Sequence, residues 1–69
     1  MDHQNFSRLA RETYGNFGWR TAIAKRHYVN RSTVYRWSVG EAPVPDWVAS
    51  DLQREAARKA VKIQALVAE

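Results

Sequence analysis

The 69-residue chain has no cysteine. That excludes a disulfide framework and any thiolate metal site, and it suits a reducing cytosol. Histidine occurs only at His3 and His27. No carboxylate pair is flanked by a base and no glycine-rich phosphate loop occurs, so neither an enzyme nor a metal, cofactor or small-molecule ligand is expected. Long apolar runs are also missing. Nothing approaches the roughly 20 residues of a membrane span, and the first residues, "MDHQNFSRLARE", carry charges where a signal peptide needs an apolar stretch. A soluble cytoplasmic chain with no membrane partner is expected. Acidic groups are scarce in one region. Between residues 8 and 36, Arg8, Arg11, Arg20, Lys25, Arg26, Arg31 and Arg36 face Glu12 alone, seven positive charges less one, in a chain whose net charge is +4. A polyanion would be steered to that half and released from it by salt. The alternative is a solvated basic face with no partner.

What is present is helical periodicity. Phe6, Leu9, Ala10 and Tyr14 recur at helical spacing until "YGNFG" interrupts them, which predicts a helix over roughly 3–14. The pattern resumes at Trp19 with Ala22, Ile23 and Ala24 and continues to about His27. After the connector Tyr28, Val29, Asn30, a third helix, "RSTVYRWSV", runs to Gly40, with the Asn30 side chain as its expected N-cap toward the amide of Ser32 or Thr33. The loop "GEAPVP" comes next. Pro45 is expected at the first position of a fourth helix, with Asp46 beside it at the favourable end of the helix dipole. A later start at Ser50, paired with Gln53 as a capping box, would leave Trp47 and Val48 in a loop and is less favoured. Val48, Leu52, Ala56, Ala60, Ile63 and Val67 then form a stripe along a helix that could exceed 20 residues. With no strand signal or repeat, the expected fold is all-α, with four or five helices and a long C-terminal helix. At 69 residues only about 60% of the unfolded surface can be buried, so stability margins are thin.

Two short helices joined by a three-residue turn, the second with a polar outer face, form the pattern of a helix-turn-helix. The stretch "TAIAKRHYVNRSTVYRWSVGEAPVP" resembles the Cro/CI-type, phage-repressor-like DNA-binding regulators. Their motif commonly carries an alanine in its first helix, a turn, a serine-threonine-valine segment, then arginine-tryptophan and glycine. The resemblance covers roughly residues 17–52. It implies that Ala24 holds the small position where the helices cross, that Val29 is the apolar turn residue, and that Val34 and Trp37 are the buried positions of the recognition helix. It also places Arg20 and Thr21 where the family approaches the DNA backbone. Two residues depart from the pattern. Tyr28 stands where the family has glycine because the chain there needs a positive φ that costs a residue with a Cβ, so a reshaped turn is expected. His27 stands where an aliphatic residue closes the core, and is either half exposed or hydrogen-bonded inside.

A B-form major groove admits one helix, and side chains near that helix's N-terminus and along its outer face reach base edges. By position the base readers are Arg31, Ser32, Tyr35 and Arg36. The two arginines lead, because guanidinium matches the two acceptors of guanine. The competing readings are phosphate contacts or, for Arg36, a surface ion pair with Glu41. Arg20, Thr21, Lys25, Tyr28, Asn30 and Thr33 are the candidates for backbone contact, with Arg26 suited either to phosphate or to solvent. Thr33 is also placed to complete the Asn30 cap. Trp19, Trp37 and Trp47 could stack bases in a single-strand binder, but their spacing favours core packing.

Residues 56–69 extend past the expected domain of residues 1–55, whose motif occupies about 20–39. Pairing with a second copy would cover Ile63, Leu66 and Val67, and a two-fold dimer would read two half-sites. Alternatively the tail folds back on the first helix. The resemblance implies a transcriptional regulator, a repressor acting as a homodimer on a short palindromic operator in double-stranded DNA, at the nucleoid of a bacterial or phage-infected cell. An architectural or recombination-directing DNA binder, or an interaction module that kept the fold without DNA, are the alternatives.

Overall fold

The computed structural model describes the backbone of residues 1–67 and the side chains of residues 1–60. Within them the chain is all-α, with four helices: α1 (His3–Tyr14), α2 (Trp19–His27), α3 (Arg31–Val39) and α4 (Asp46–Val67). Each begins and ends for a local reason. Asp2 caps α1 by accepting the Asn5 amide at 2.7 Å, and Gly15 closes it by donating to the Arg11 carbonyl at 2.8 Å. Gly40 ends α3 at φ 84. A Cβ there would be both left-handed and 3.0 Å from the His3 ring nitrogen Nδ1, so glycine is favoured.

Two local expectations are corrected. Helix α4 starts at Asp46 rather than Pro45. The Pro45 carbonyl accepts the amides of Val48 and Ala49, both at 3.0 Å, so proline occupies the N-cap, where its missing N–H costs nothing. The Asn30 side chain makes no capping bond. The amides of Thr33 and Val34 reach the Asn30 carbonyl instead, at 3.0 and 3.3 Å, and its carboxamide stays in solvent.

The core is formed by Phe6 and Ala10 of α1, Trp19, Ile23 and Ala24 of α2, Val34 and Trp37 of α3, and Val48 and Leu52 of α4. Phe6 is its centre, with the rings of Trp19 and Trp37 packed edge-on at 6.1 and 6.2 Å. The Ser7 hydroxyl donates to the Ser38 carbonyl at 3.1 Å, tying α1 to the end of α3. Trp47 differs from the core role expected of it. It is 57% exposed and only covers the cluster, edge-on to Trp37 at 6.5 Å and to His27 at 5.2 Å. As the second residue of α4 it lies on the outer side of the turn that buries Val48. The α4 stripe leaves the core as it proceeds: Val48 and Leu52 are buried, Ala56 is half-buried and Ala60 is exposed. Lys59 still reaches α1, its amine donating to the Thr13 carbonyl. Ile63, Leu66 and Val67, expected at a dimer interface, lie outside the described side chains.

Helix α2 is clamped to α4 by charge. Arg26 donates to both Asp51 carboxylate oxygens, at 2.5 and 2.9 Å, and to Glu55 at 3.1 Å. His27 Nε2 lies 3.3 Å from Asp51. Hydrogen bonding from Arg26 holds the Asp51 carboxyl below the usual carboxylate range, against an opposing effect of its own burial. Since the folded-state value is the lower one, the contribution is complete above the unfolded value of about pH 4 and is lost as acid takes the pH through the folded value. Asp51→Asn is expected to cost about 1 kcal/mol at neutral pH, less than a buried charged hydrogen bond because Arg26 is well solvated. Urea melts of parent and variant should therefore differ at pH 7 and converge in acid. Equal midpoints at pH 7 would show that the clamp contributes nothing.

Candidate nucleic-acid interface

Helix α3 has two faces. Val34 and Trp37 point into the core, and Ser38 is buried beside them with its hydroxyl donating to the Tyr35 carbonyl at 2.6 Å. Arg31, Ser32, Tyr35 and Arg36 are exposed. Arg31 and Tyr35 stand one turn apart, as do Ser32 and Arg36, so the four side chains form two adjacent rows on the outer surface. All four expected base readers thus share one open face. The inward pair sets that face, because a helix that buries positions 34 and 37 must turn 31, 32, 35 and 36 away.

Helix α2 and the turn surround it. Arg20, Arg31, Ser32 and Tyr35 line one shallow depression. Thr21, Lys25, Tyr28, Asn30 and Arg31 line a second, over Ala24 and Val29. Arg31 belongs to both, so the two are a single surface running from the start of α2 across the start of α3. Arg20, Lys25, Tyr28 and Asn30 are exposed there, while Thr21 and Thr33 are half-buried. The Thr33 amide serves the α3 N-cap.

Asp51 and Glu55 of α4 are engaged by Arg26 of α2 and by Arg54 and Arg58 of α4 itself. Arg26 is therefore engaged structurally, its charge already matched by two carboxylates. The alternative pairing of Arg36 with Glu41 does not form among the described residues. Among the described residues, Arg20, Lys25, Arg31 and Arg36 are left as cations with no carboxylate bridged to them. No group of His, Asp and Glu among the described residues could hold a metal. No described helix is long and apolar enough to cross a membrane.

No family model, curated protein or solved structure matches this chain. What the surface can do follows from its own geometry and charge.

The turn is its least relaxed part. Tyr28 is the one described non-glycine residue with positive φ, at φ 55 and ψ 42. The turn thus keeps a left-handed residue and forces a tyrosine into it, and the ring is 95% exposed, so no packing offsets the strain. The Val29 amide bonds the Ala24 carbonyl at 3.0 Å, and Val29 packs on the core, which holds the conformation from both sides. Tyr28→Gly should stabilise the fold by about 0.5 to 1 kcal/mol: the left-handed penalty of about 1 to 2 is relieved, less the flexibility glycine adds to the unfolded chain. For a domain of this size the melting midpoint should rise by about 2 to 8 °C. A fall would mean that the ring makes contacts worth more than the strain.

Two features of this surface have no local sequence signal. The bridge from Arg26 to Asp51 and Glu55 spans 25 and 29 residues. The guanidinium of Arg20 lies over the Trp19 ring, 4.4 Å from its centroid, and 5.8 Å from that of Tyr35, fifteen positions away. Adjacent Trp19 and Arg20 could have suggested the first contact; nothing suggests the second.

Proposed function

We propose that this protein is a sequence-specific double-stranded DNA-binding regulator of the repressor or Cro type, acting as a homodimer on a short palindromic operator. It is not an enzyme, and it works in the cytoplasm at the nucleoid. One observation carries the reading: α3 buries Val34 and Trp37 and turns Arg31, Ser32, Tyr35 and Arg36 onto an open, basic surface. At 1.5 Å per residue, nine residues give a helix about 13 Å long, a length that fits along a major groove. Arg31, at its first turn, is placed to grip the O6 and N7 acceptors of a guanine, and Arg36 reads farther along the same groove. Lys25, Tyr28, Asn30 and Thr21 flank the helix at the level of a phosphate backbone and set its register. One copy reads only a few base pairs. Two copies related by a two-fold axis read half-sites one helical turn, about 34 Å, apart.

Selection of bound duplexes from a random pool, followed by binding to the selected sequence, tests this. A palindromic consensus is expected. Arg31→Ala and Arg36→Ala should each weaken binding by about 1 to 3 kcal/mol, roughly five- to 150-fold, and relax the preference at one base pair per half-site. Both side chains are exposed, so the folded state is unaffected. If both variants select and bind the same duplexes as the parent, α3 does not read DNA. An architectural binder would instead bend duplexes without a consensus, and an interaction module would bind none.

A further inference from the structure

Position in the chain assigns Arg20 to the phosphate backbone, but its surroundings point elsewhere. The Trp19 ring under its guanidinium is buried and pinned edge-on to Phe6 at 6.1 Å, so it is a fixed platform. The Tyr35 ring of α3, half exposed on the outer face, lies 5.8 Å from the same guanidinium. Arg20 therefore leans from α2 onto the face of α3, into the depression shared with Arg31 and Ser32. A guanidinium fork grips a phosphate as readily as a base edge, so placement is what separates the two here: Arg20 lies against the outer face of α3 beside Arg31 and Ser32. Packing against aromatic rings adds to this. The guanidinium plane is oriented, part of its rotamer freedom is already lost, and its N–H donors remain free at the edge. That arrangement suits a planar, two-pronged acceptor.

We infer that Arg20 is a third base-reading side chain, directed at the O6 and N7 edge of a guanine next to the base pair read by Arg31, and that Tyr35 is its positioning residue. This rests on the DNA-binding reading above and extends it. The recognition surface then includes a residue outside α3, and Tyr35 acts by holding the Arg20 fork in place rather than by touching a base.

The test uses the full chain and its selected duplex, together with a panel in which each base pair is replaced in turn and each guanine by 7-deazaguanine. Arg20→Lys keeps the charge and loses the fork and the stack. It should reduce discrimination at one G·C pair per half-site by about tenfold or more, leaving the salt dependence and the preferences owed to Arg31 and Arg36 unchanged. The parent should lose a similar factor when the guanine of that pair is replaced by 7-deazaguanine. Tyr35→Leu should weaken the same base pair and no other, which a merely structural role for the ring would not produce, and Tyr35→Phe should retain the preference. In the free protein the Arg20 side-chain N–H resonance should carry a ring-current shift that Tyr35→Leu reduces and Tyr35→Phe retains. If Arg20→Lys binds the whole panel as the parent does, Arg20 contacts phosphate only and the inference is overturned while the regulator reading stands. If the parent itself does not distinguish the duplexes, the functional reading fails, and this inference with it.

Discussion

Trp37→Ala should remove a large share of the protein's stability. The indole is 5% exposed, meets Phe6 and Trp47 edge-on, and joins α3 to both α1 and α4. Truncating a buried tryptophan costs about 3 to 5 kcal/mol, through lost transfer free energy and the cavity left behind. Against that stands a total of roughly 3.5 to 10 kcal/mol for 69 residues at the usual stability per residue. There is no disulfide to restrain the unfolded chain. Urea melts followed by circular dichroism should show an unfolding free energy lower by about 3 to 5 kcal/mol, with the midpoint moved correspondingly toward zero denaturant. Arg36→Ala, one position earlier on the opposite face, should change stability by less than about 0.5 kcal/mol. A Trp37→Ala variant that melts cooperatively within 1 kcal/mol of the parent would mean that α3 is not held by its inner face, and the orientation of the reading side chains would lose its cause.

Affinity for the selected duplex should fall by about 10⁴-fold between 50 and 200 mM salt. Four cations per copy, Arg20, Lys25, Arg31 and Arg36, lie on the proposed docking surface without a bridged carboxylate among the described residues, and each brought into the field of the duplex displaces condensed counterions. For two copies this gives a slope of log K against log salt of about −7, and for a single copy about −3.6, so the slope also reports the stoichiometry of the complex. Arg26 does not enter the count because Asp51 and Glu55 neutralise it where it stands. Lys25→Ala should weaken binding uniformly across sequences and reduce the slope by about 1 per copy. A slope near zero would leave the basic surface without a polyanionic partner.

The four helices were legible in the sequence because what makes them is local. The spacing of Phe6, Leu9, Ala10 and Tyr14, the glycines after Tyr14 and Val39, and the proline before Asp46 act within one or two turns. The inward positions of α3 were legible for the same reason, since Val34 and Trp37 lie three apart and a helix places them on one side. Where two local solutions compete, the sequence is less decisive. At Asn30 the side chain and the backbone carbonyl can each cap α3, and the backbone is the one that does. At Tyr28 a tyrosine takes a glycine's conformation because Val29 and Ala24 on either side hold the turn in place.

The chain by itself therefore determined the helices, their inward faces and the half that carries the positive charge, since each follows from neighbours a few residues apart. Only the tertiary structure decided which charges are available. It takes Arg26 out of the basic set by bringing Asp51 and Glu55 against it, places Trp47 on the surface rather than in the core, and lays Arg20 against Tyr35. Those outcomes depend on how α2, α3 and α4 pack, and packing joins residues whose separation in sequence carries no periodic signal.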